Sequence, residues 1–247
     1  KLGSVCLEDK VIAYIKKNKL IEPGDNVLVA LSGGPDSVCL LNILYKFKDE
    51  LNITLGAAHI NHMLRGEDSD RDEKYVIELC NKIGIPSYIK RVNINNYSEK
   101  NKMSSEMAGR KVRYDFFEEI MKKDNYNKIA TAHNANDQAE TIMFRLIRGS
   151  GLEGLGGIKA YRDNKIIRPI LCLERDEVEE YIRKENLNPR IDKTNFEKIY
   201  NRNKIRLDIL PYIKEHFNED IIKTLNRTAG LLQKDNEFLE CESLKVY

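Results

Sequence analysis

The apolar positions change period along the chain, and the changes mark out its elements. Val27-Leu28-Val29-Ala30-Leu31 is a continuous apolar run, rich in β-branched residues and the length of one buried strand. After Asp36, Leu41, Leu44 and Tyr45 recur at helical spacing, and Leu40, Ile43 and Phe47 form a second stripe, so the helix that follows packs on a sheet. The alternation then repeats. Residues 53–60 read as a second strand, 69–83 as a helix closed by Gly84, and 86–92 as a third strand. A longer helix over 104–123 carries Val112, Phe116, Phe117 and Ile120; strands over 128–132 and 165–171 flank a helix over 136–148. Ahead of all this, 7–19 is amphipathic, with Val11, Ile12 and Ile15 on one face, and after about Ile199 the pattern is helical only, with Pro211 at a junction. Strands alternating with helices predict an α/β fold: a doubly wound, mostly parallel five-stranded sheet with a C-terminal helical extension, divided as 1–199 and 200–247.

Ligands of such sheets bind at the carboxyl ends of the strands, and those ends carry the unusual residues. The first strand runs into Ser32-Gly33-Gly34-Pro35-Asp36-Ser37. The glycines permit positive φ, the proline ends the ladder, and Asp36 or Ser37 can cap the helix. Strand, glycine turn and helix N-terminus aim N–H groups and a dipole at one spot, which suits a phosphate; a capped βα turn accounts for the same shape without a ligand. The stretch is neither GxxxxGK[ST] nor GxGxxG. The second strand ends in His59-Ile60-Asn61-His62-Met63-Leu64-Arg65-Gly66, and the fourth in His133-Asn134-Ala135-Asn136-Asp137-Gln138-Ala139-Glu140. Asp137 and Glu140 share a helix face. First-turn acids are favoured by the dipole alone, yet beside a phosphate loop they can also hold Mg²⁺ or a substrate ammonium group. The run Gly149-Ser150-Gly151-Leu152-Glu153-Gly154 fits GxGxxG but follows a helix, which excludes a dinucleotide turn.

The net charge of +2 with 32% charged residues gives no overall mark of a nucleic-acid binder. Locally, 145–168 holds six basic residues against two acidic ones, a net of +4, and 190–206 repeats that balance. Two such stretches in succession can form a phosphate-binding stripe. On a helical reading Arg202 and Arg206 share one face, toward a phosphate backbone or toward internal ion pairs with Asp192 or Asp208. Five scattered cysteines and no CxxC fit reduced thiols in the cytoplasm. No signal peptide opens the chain, and no apolar run approaches the roughly 20 residues that cross a bilayer.

Ser32–Ser37 closely resembles the SGGxDS signature of the PP-loop ATP pyrophosphatases, whose fold is adenine nucleotide α-hydrolase-like. Further stretches resemble one family among them, the tRNA(Ile)-lysidine synthetases. His59–Gly66 with Ser69, Asp72 and Glu73 is similar to its HxNHxLRG…S…DE segment, and Glu106 to Phe117 to its E…AR..RY.FF helix. Asp137-Gln138-Ala139-Glu140-Thr141 and Arg148 to Leu155 are similar to its DQAET…RGSGxxGL run. Arg168-Pro169, Asp192 to Asn195, Tyr200 with Arg202 to Arg206, and Leu210-Pro211 complete the likeness. Two asparagines, Asn134 and Asn136, stand where the family usually has histidine and aspartate, and Gly109 stands for alanine.

The resemblance implies an enzyme that adenylates the C2 oxygen of the wobble cytidine in an isoleucine tRNA with anticodon CAU, after which free L-lysine displaces AMP. ATP would bind Ser32, Gly33, Gly34, Pro35, Asp36 and Ser37, with Asp36 organising Mg²⁺. Arg113 would stabilise developing charge, and Asp137 and Glu140 would hold lysine, so that Asp36, Arg113, Asp137 and Glu140 form the catalytic set. His62, Arg65 and His133 would join Asp137 and Glu140 in binding substrate, and Arg202 and Arg206 would bind tRNA. A cytoplasmic enzyme with no membrane partner follows, with room for a homodimer. Related chemistries on the same loop, tRNA thiolation or an ammonia-dependent synthetase, are the alternatives; thiolation usually calls for paired cysteines.

Overall fold

β1 (Asn26–Ala30) is a central strand of a six-stranded sheet ordered β3-β2-β1-β4-β6-β5 in the computed structural model, which describes residues 6–190 and 201–246. It pairs in parallel with β2 (Thr54–Asn61) on one side, Val29 opposite Ala57, and with β4 (Lys128–Ala130) on the other, Val29 opposite Ala130. β3 (Ser87–Arg91) adds to β2 and β6 (Ile166–Ile167) to β4, both in parallel. Val27, Leu28 and Val29 are fully buried, as a strand covered on both faces requires. The chain leaves β1 for β2 on one side and reaches β4 on the other, so the end of β1 is the switch point of the sheet.

Two helices, α2 (Pro35–Leu51) and α5 (Ser105–Asp124), follow the stripes that their sequences carry. Phe116, Phe117 and Ile120 of α5 pack with Leu28, Ala58, Ile129 and Ile166 of the sheet. Tyr126 joins this cluster; a β-carbon at Gly56 of β2 would collide with its hydroxyl, so that strand position admits only glycine. The remaining helices of this part are α1 (Leu7–Lys17), α3 (Glu67–Ile83) and α4 (Ile94–Lys100).

Six strands are observed where five were expected. β5 (Tyr161–Arg162) is two residues long and runs antiparallel to β6, too short to show a period of two. The same brevity hides α4 and α7 (Leu152–Leu155), while α8 (Arg175–Lys184) buries only Val178, Tyr181 and Ile182.

Among the described residues, contacts divide the chain into two units: Cys6–Ala132 with Tyr161–Pro169 and Val178–Arg190, and His133–Ala160 with Ile170–Glu177 and Asn201–Val246. The division falls after Ala132. The helical tail shares its core with α6 (Ala135–Ile147): Ala135 and Ala139 pack with Ile205, Leu210 and Ile222. That tail consists of α9 (Asn201–Lys204), a π-helical turn (Ile205–Ile209), α10 (Leu210–His216) and α11 (Ile221–Val246). Residues Asp192 to Asn195 and Tyr200, which carried part of the family likeness, lie outside the described residues. Among the described residues no helix is long and apolar enough to cross a membrane.

Candidate active site

The expected site residues divide between the two units: the Ser32 loop, His62, Arg65 and Arg113 belong to the first, and His133, Asp137, Glu140, Arg202 and Arg206 to the second.

In the first unit the loop after β1 is closed by its own side chains. Pro35 is the first residue of α2, where its fixed φ and missing N–H cost nothing. Gly34 is the N-cap and makes no side-chain cap, so Asp36 and Ser37 lie inside the first turn and do not cap it as expected. Ser37 turns its hydroxyl back: Oγ donates to the Gly34 carbonyl at 3.0 Å and accepts the Gly33 N–H at 3.1 Å. With that proton committed, Ser32 Oγ is the donor in its 3.1 Å bond to Ser37 Oγ. Gly33 has φ +90°, a conformation costly for a side chain, and a β-carbon there would already touch Tyr75 at 3.5 Å. The Gly33 carbonyl accepts the N–H of Arg190 at 2.9 Å, and Arg190 Nε reaches Asp72 at 3.2 Å. The other oxygen of Asp72 accepts from Arg65 at 2.8 Å. Asp72 thus ties the Ser32–Ser37 loop to the segment after β2.

The oxygen donors of this loop fit a hard cation. Among the described residues no three His, Cys, Asp or Glu side chains are grouped to hold a metal ion. Asp36 is therefore the one carboxylate that the loop itself offers, and Mg²⁺ characteristically takes one or two carboxylates and completes its shell with phosphates and water.

Two imidazoles stand at the end of β2. His59 Nδ1 donates to the Leu31 carbonyl at 2.8 Å, which leaves its buried Nε2 as an acceptor without a partner among the described residues. Burial lowers its pKa, against the pull of the Leu31 carbonyl and of Glu73 and Asp72. His62 has a buried Nδ1 without a partner among the described residues, and its pKa is pushed down to about 4, by burial first and then by Arg113, His59 and Arg65. Near neutral pH His62 is a neutral hydrogen-bonding ring and not a cation for phosphate. A histidine in the unfolded chain titrates near 6.5, so the unfolded state takes up the proton first as pH falls. His62 therefore weakens the fold between pH 6.5 and about 4, by on the order of 1–2 kcal/mol once solvent screening is allowed for. In urea titrations His62→Asn is expected to flatten the loss of stability across that window. An unchanged profile would mean that the folded ring accepts protons as readily as the unfolded one.

Beside them, a polar cluster that sequence reasoning did not single out holds the loop after β2. Asn61 Nδ2 donates to Asp70 at 3.0 Å and to Glu73 at 2.9 Å, and Arg91 bonds both oxygens of Glu73. Arg91 and Asn61 hold the Glu73 carboxyl below the usual carboxylate range.

In the second unit the two asparagines that depart from the family pattern have structural work. Asn134 is fully buried and caps α6: its Oδ1 accepts the Asp137 N–H at 3.0 Å, and Asp137 Oδ2 accepts the Asn134 N–H at 3.0 Å. This reciprocal box satisfies two helix-end donors. Asn136 Oδ1 accepts the Arg175 N–H at 2.9 Å.

Glu140 is 1% exposed and sits under three guanidiniums: Arg206 Nε at 2.6 Å, Arg202 Nε at 3.0 Å and Arg175 at 3.7 Å. Asp137 Oδ1 meets Arg202 at 3.4 Å and Arg206 at 3.6 Å. Arg202 and Arg206, expected to face tRNA, turn instead to the carboxylates expected to hold lysine. The physical reason is desolvation: a carboxylate as buried as Glu140 requires cations, and α9 and the π turn supply them. Internal ion pairs were the other expectation for these arginines, and Glu140 and Asp137 are partners in them; Asp192 lies outside the described residues.

A mostly parallel sheet with a glycine-rich loop at its switch point and a helix N-terminus behind it defines a doubly wound α/β protein, with the loop geometry that suits a phosphate group. The chain belongs to the PP-loop domain family, whose profile matches residues 7–213. It is 57% identical over 98% of its length to a tRNA(Ile)-lysidine synthase from Clostridium perfringens, and 52% identical over 95% to the protein of that name from Clostridioides difficile. The chain spans about half the length of these curated relatives, 51% in each case. Among solved structures a U34-tRNA thiolase from Methanococcus maripaludis matches 92% of the chain, and 80% of its own, with a TM-score of 0.75 at 18% identity, a likeness of fold.

Proposed function

We propose that this chain carries the ATP-using part of a tRNA(Ile)-lysidine synthase, which converts the wobble cytidine of an isoleucine tRNA with anticodon CAU to lysidine. The observation that supports it is the identity to proteins of that name over nearly the whole chain. In the first step the cytidine C2 oxygen attacks the α-phosphorus of ATP, and the bond to pyrophosphate breaks. In the second the deprotonated amine of free L-lysine attacks C2, and the C2–O bond breaks with AMP as the leaving group.

ATP would lay its phosphates on Ser32 to Ser37, against the first turn of α2. Asp36 would hold Mg²⁺, which supplies charge neutralisation as pyrophosphate departs. Arg113, exposed on α5, would face developing phosphate charge, and the neutral His62 with Arg65 would position the base. In the second unit His133 and Asp137 would meet the substrate. Of the two carboxylates, Asp137 is the one open to a soluble amine, with its side chain 17% exposed against 1% for Glu140. Lysine there competes with Arg202 and Arg206 for the same oxygen.

Incubation with ATP, Mg²⁺, the tRNA and radiolabelled lysine is expected to move label to tRNA with one AMP released per label. Unlabelled tRNA that instead gains sulfur from a donor system would move the assignment to thiolation, the chemistry of the fold neighbour.

A further inference from the structure

Four arginines gather around one tyrosine in the first unit. Arg110 and Tyr114 are one turn apart on α5, and Arg110 Cζ lies 5.7 Å from the Tyr114 ring centroid. Arg162, in β5, brings its Cζ to 5.3 Å from the same ring. Both are within the range of a cation–π contact. The ring is fixed from below by an edge-on contact with the buried Phe117 at 6.1 Å. Arg113 follows Arg110 on α5, and Arg168 follows β6 at 4% exposure. Burial lowers the pKa of Arg168, and Arg162 and Arg110 add repulsion against the opposing pull of Tyr114.

Among the described residues, acidic side chains offset little of the charge of Arg110, Arg113 and Arg162. Arg162 pairs with its neighbour Asp163 at 2.9 Å, an exposed carboxylate that water and salt screen. Asp115, beside Tyr114, pairs with Lys111. Among the described residues Arg110 and Arg113 have no carboxylate within ion-pair distance. Elsewhere in the 145–168 stretch, Arg145 donates to the carbonyls of Gly154 and Gly157, Arg148 lies over the Phe144 ring, and Lys165 pairs with Glu118. Arg110 and Arg113 beside Arg162, with only the exposed Asp163 to offset them, repel one another in the unbound protein, and a polyanion relieves that repulsion.

We infer that Arg110, Tyr114 and Arg162 form a docking surface for the phosphate backbone of the tRNA substrate, running across α5 and β5 beside Arg113. The inference rests on the reading of the chain as a tRNA-modifying enzyme. Planar guanidinium forks match phosphate oxygens two at a time. Several forks spread over two elements suit a chain of phosphates better than the single tail of a nucleotide. The arginine–tyrosine stack also offers flat faces to unstacked bases, such as those of an anticodon loop.

The test uses the whole protein and an isoleucine tRNA transcript, with binding measured over a range of salt concentrations and ATP binding measured without tRNA. Arg110→Gln and Arg162→Gln are each expected to weaken tRNA binding roughly tenfold at low salt and to reduce the slope of log K against log salt by about one. The double variant is expected to reduce it by about two, with ATP binding and the urea midpoint little changed. Wild-type affinity and slope in the double variant would overturn the surface while leaving the proposed function standing. A loss of ATP binding with tRNA binding intact would overturn it in favour of a nucleotide subsite. A wild-type protein that binds no tRNA would overturn both.

Discussion

Asp36→Ala is expected to lower tRNA- and lysine-dependent AMP formation by about 10²–10³-fold, the scale of removing one preorganised electrostatic contact from a transition state. In free energy that is roughly 3–4 kcal/mol. Asp36 sits half-buried in the first turn of α2, while the loop bonds that hold the turn in place run through Ser32, Ser37, Gly33 and Gly34. The fold is therefore expected to survive the substitution, with a urea midpoint near wild type. Measuring AMP and pyrophosphate release together separates the steps, because the role assigned to Asp36 lies in the first. Normal turnover by the variant would remove Asp36 from metal and phosphate binding and leave the loop as a structural βα turn.

Glu140→Gln is expected to destabilise the second unit by about 3–5 kcal/mol, the cost of removing one partner from a buried ion pair. The three guanidiniums around Glu140 make this loss large, since Arg206, Arg202 and Arg175 would face an uncharged amide. Asp137→Asn is expected to cost about 1 kcal/mol, because it weakens one half of a capping box and an ion pair that water already reaches. The two variants should separate in the opposite order for lysine. Asp137→Asn is expected to raise the lysine KM with a near-normal melting curve, and Glu140→Gln to shift the melting curve first. A Glu140→Gln protein as stable as wild type that no longer uses lysine would assign the buried carboxylate to the substrate and not to the arginines.

How much of this was legible follows from how local each feature is. The Ser32–Ser37 loop was legible because its parts lie within six residues and each acts on its neighbours: glycine for positive φ, proline for the helix start, serine for the turn. The capping box is equally local, since Asn134 and Asp137 have the spacing of a cap and its reciprocal acid. The partners of Glu140 were not legible in this way. Arg202 and Arg206 lie 62 and 66 positions away in sequence, and four-residue spacing states only that two arginines share a face, not what the face meets. Arg190, counted above only as charge, reveals its hold on Gly33 and Asp72 only in three dimensions.

By itself the sequence determined the alternation of strands and helices, and hence the parallel sheet, the position of the glycine loop at the end of β1, and the family. These depend on period and on short-range backbone chemistry, which a chain carries in its order of residues. Tertiary structure alone decided which charges meet. It turned Arg202 and Arg206 toward Asp137 and Glu140, left Arg110 and Arg113 without acidic partners among the described residues, and added a two-residue sixth strand. The reason is that ion pairing follows burial and distance, and a buried carboxylate draws its cations from whichever element packs over it, however far away that element lies in the chain.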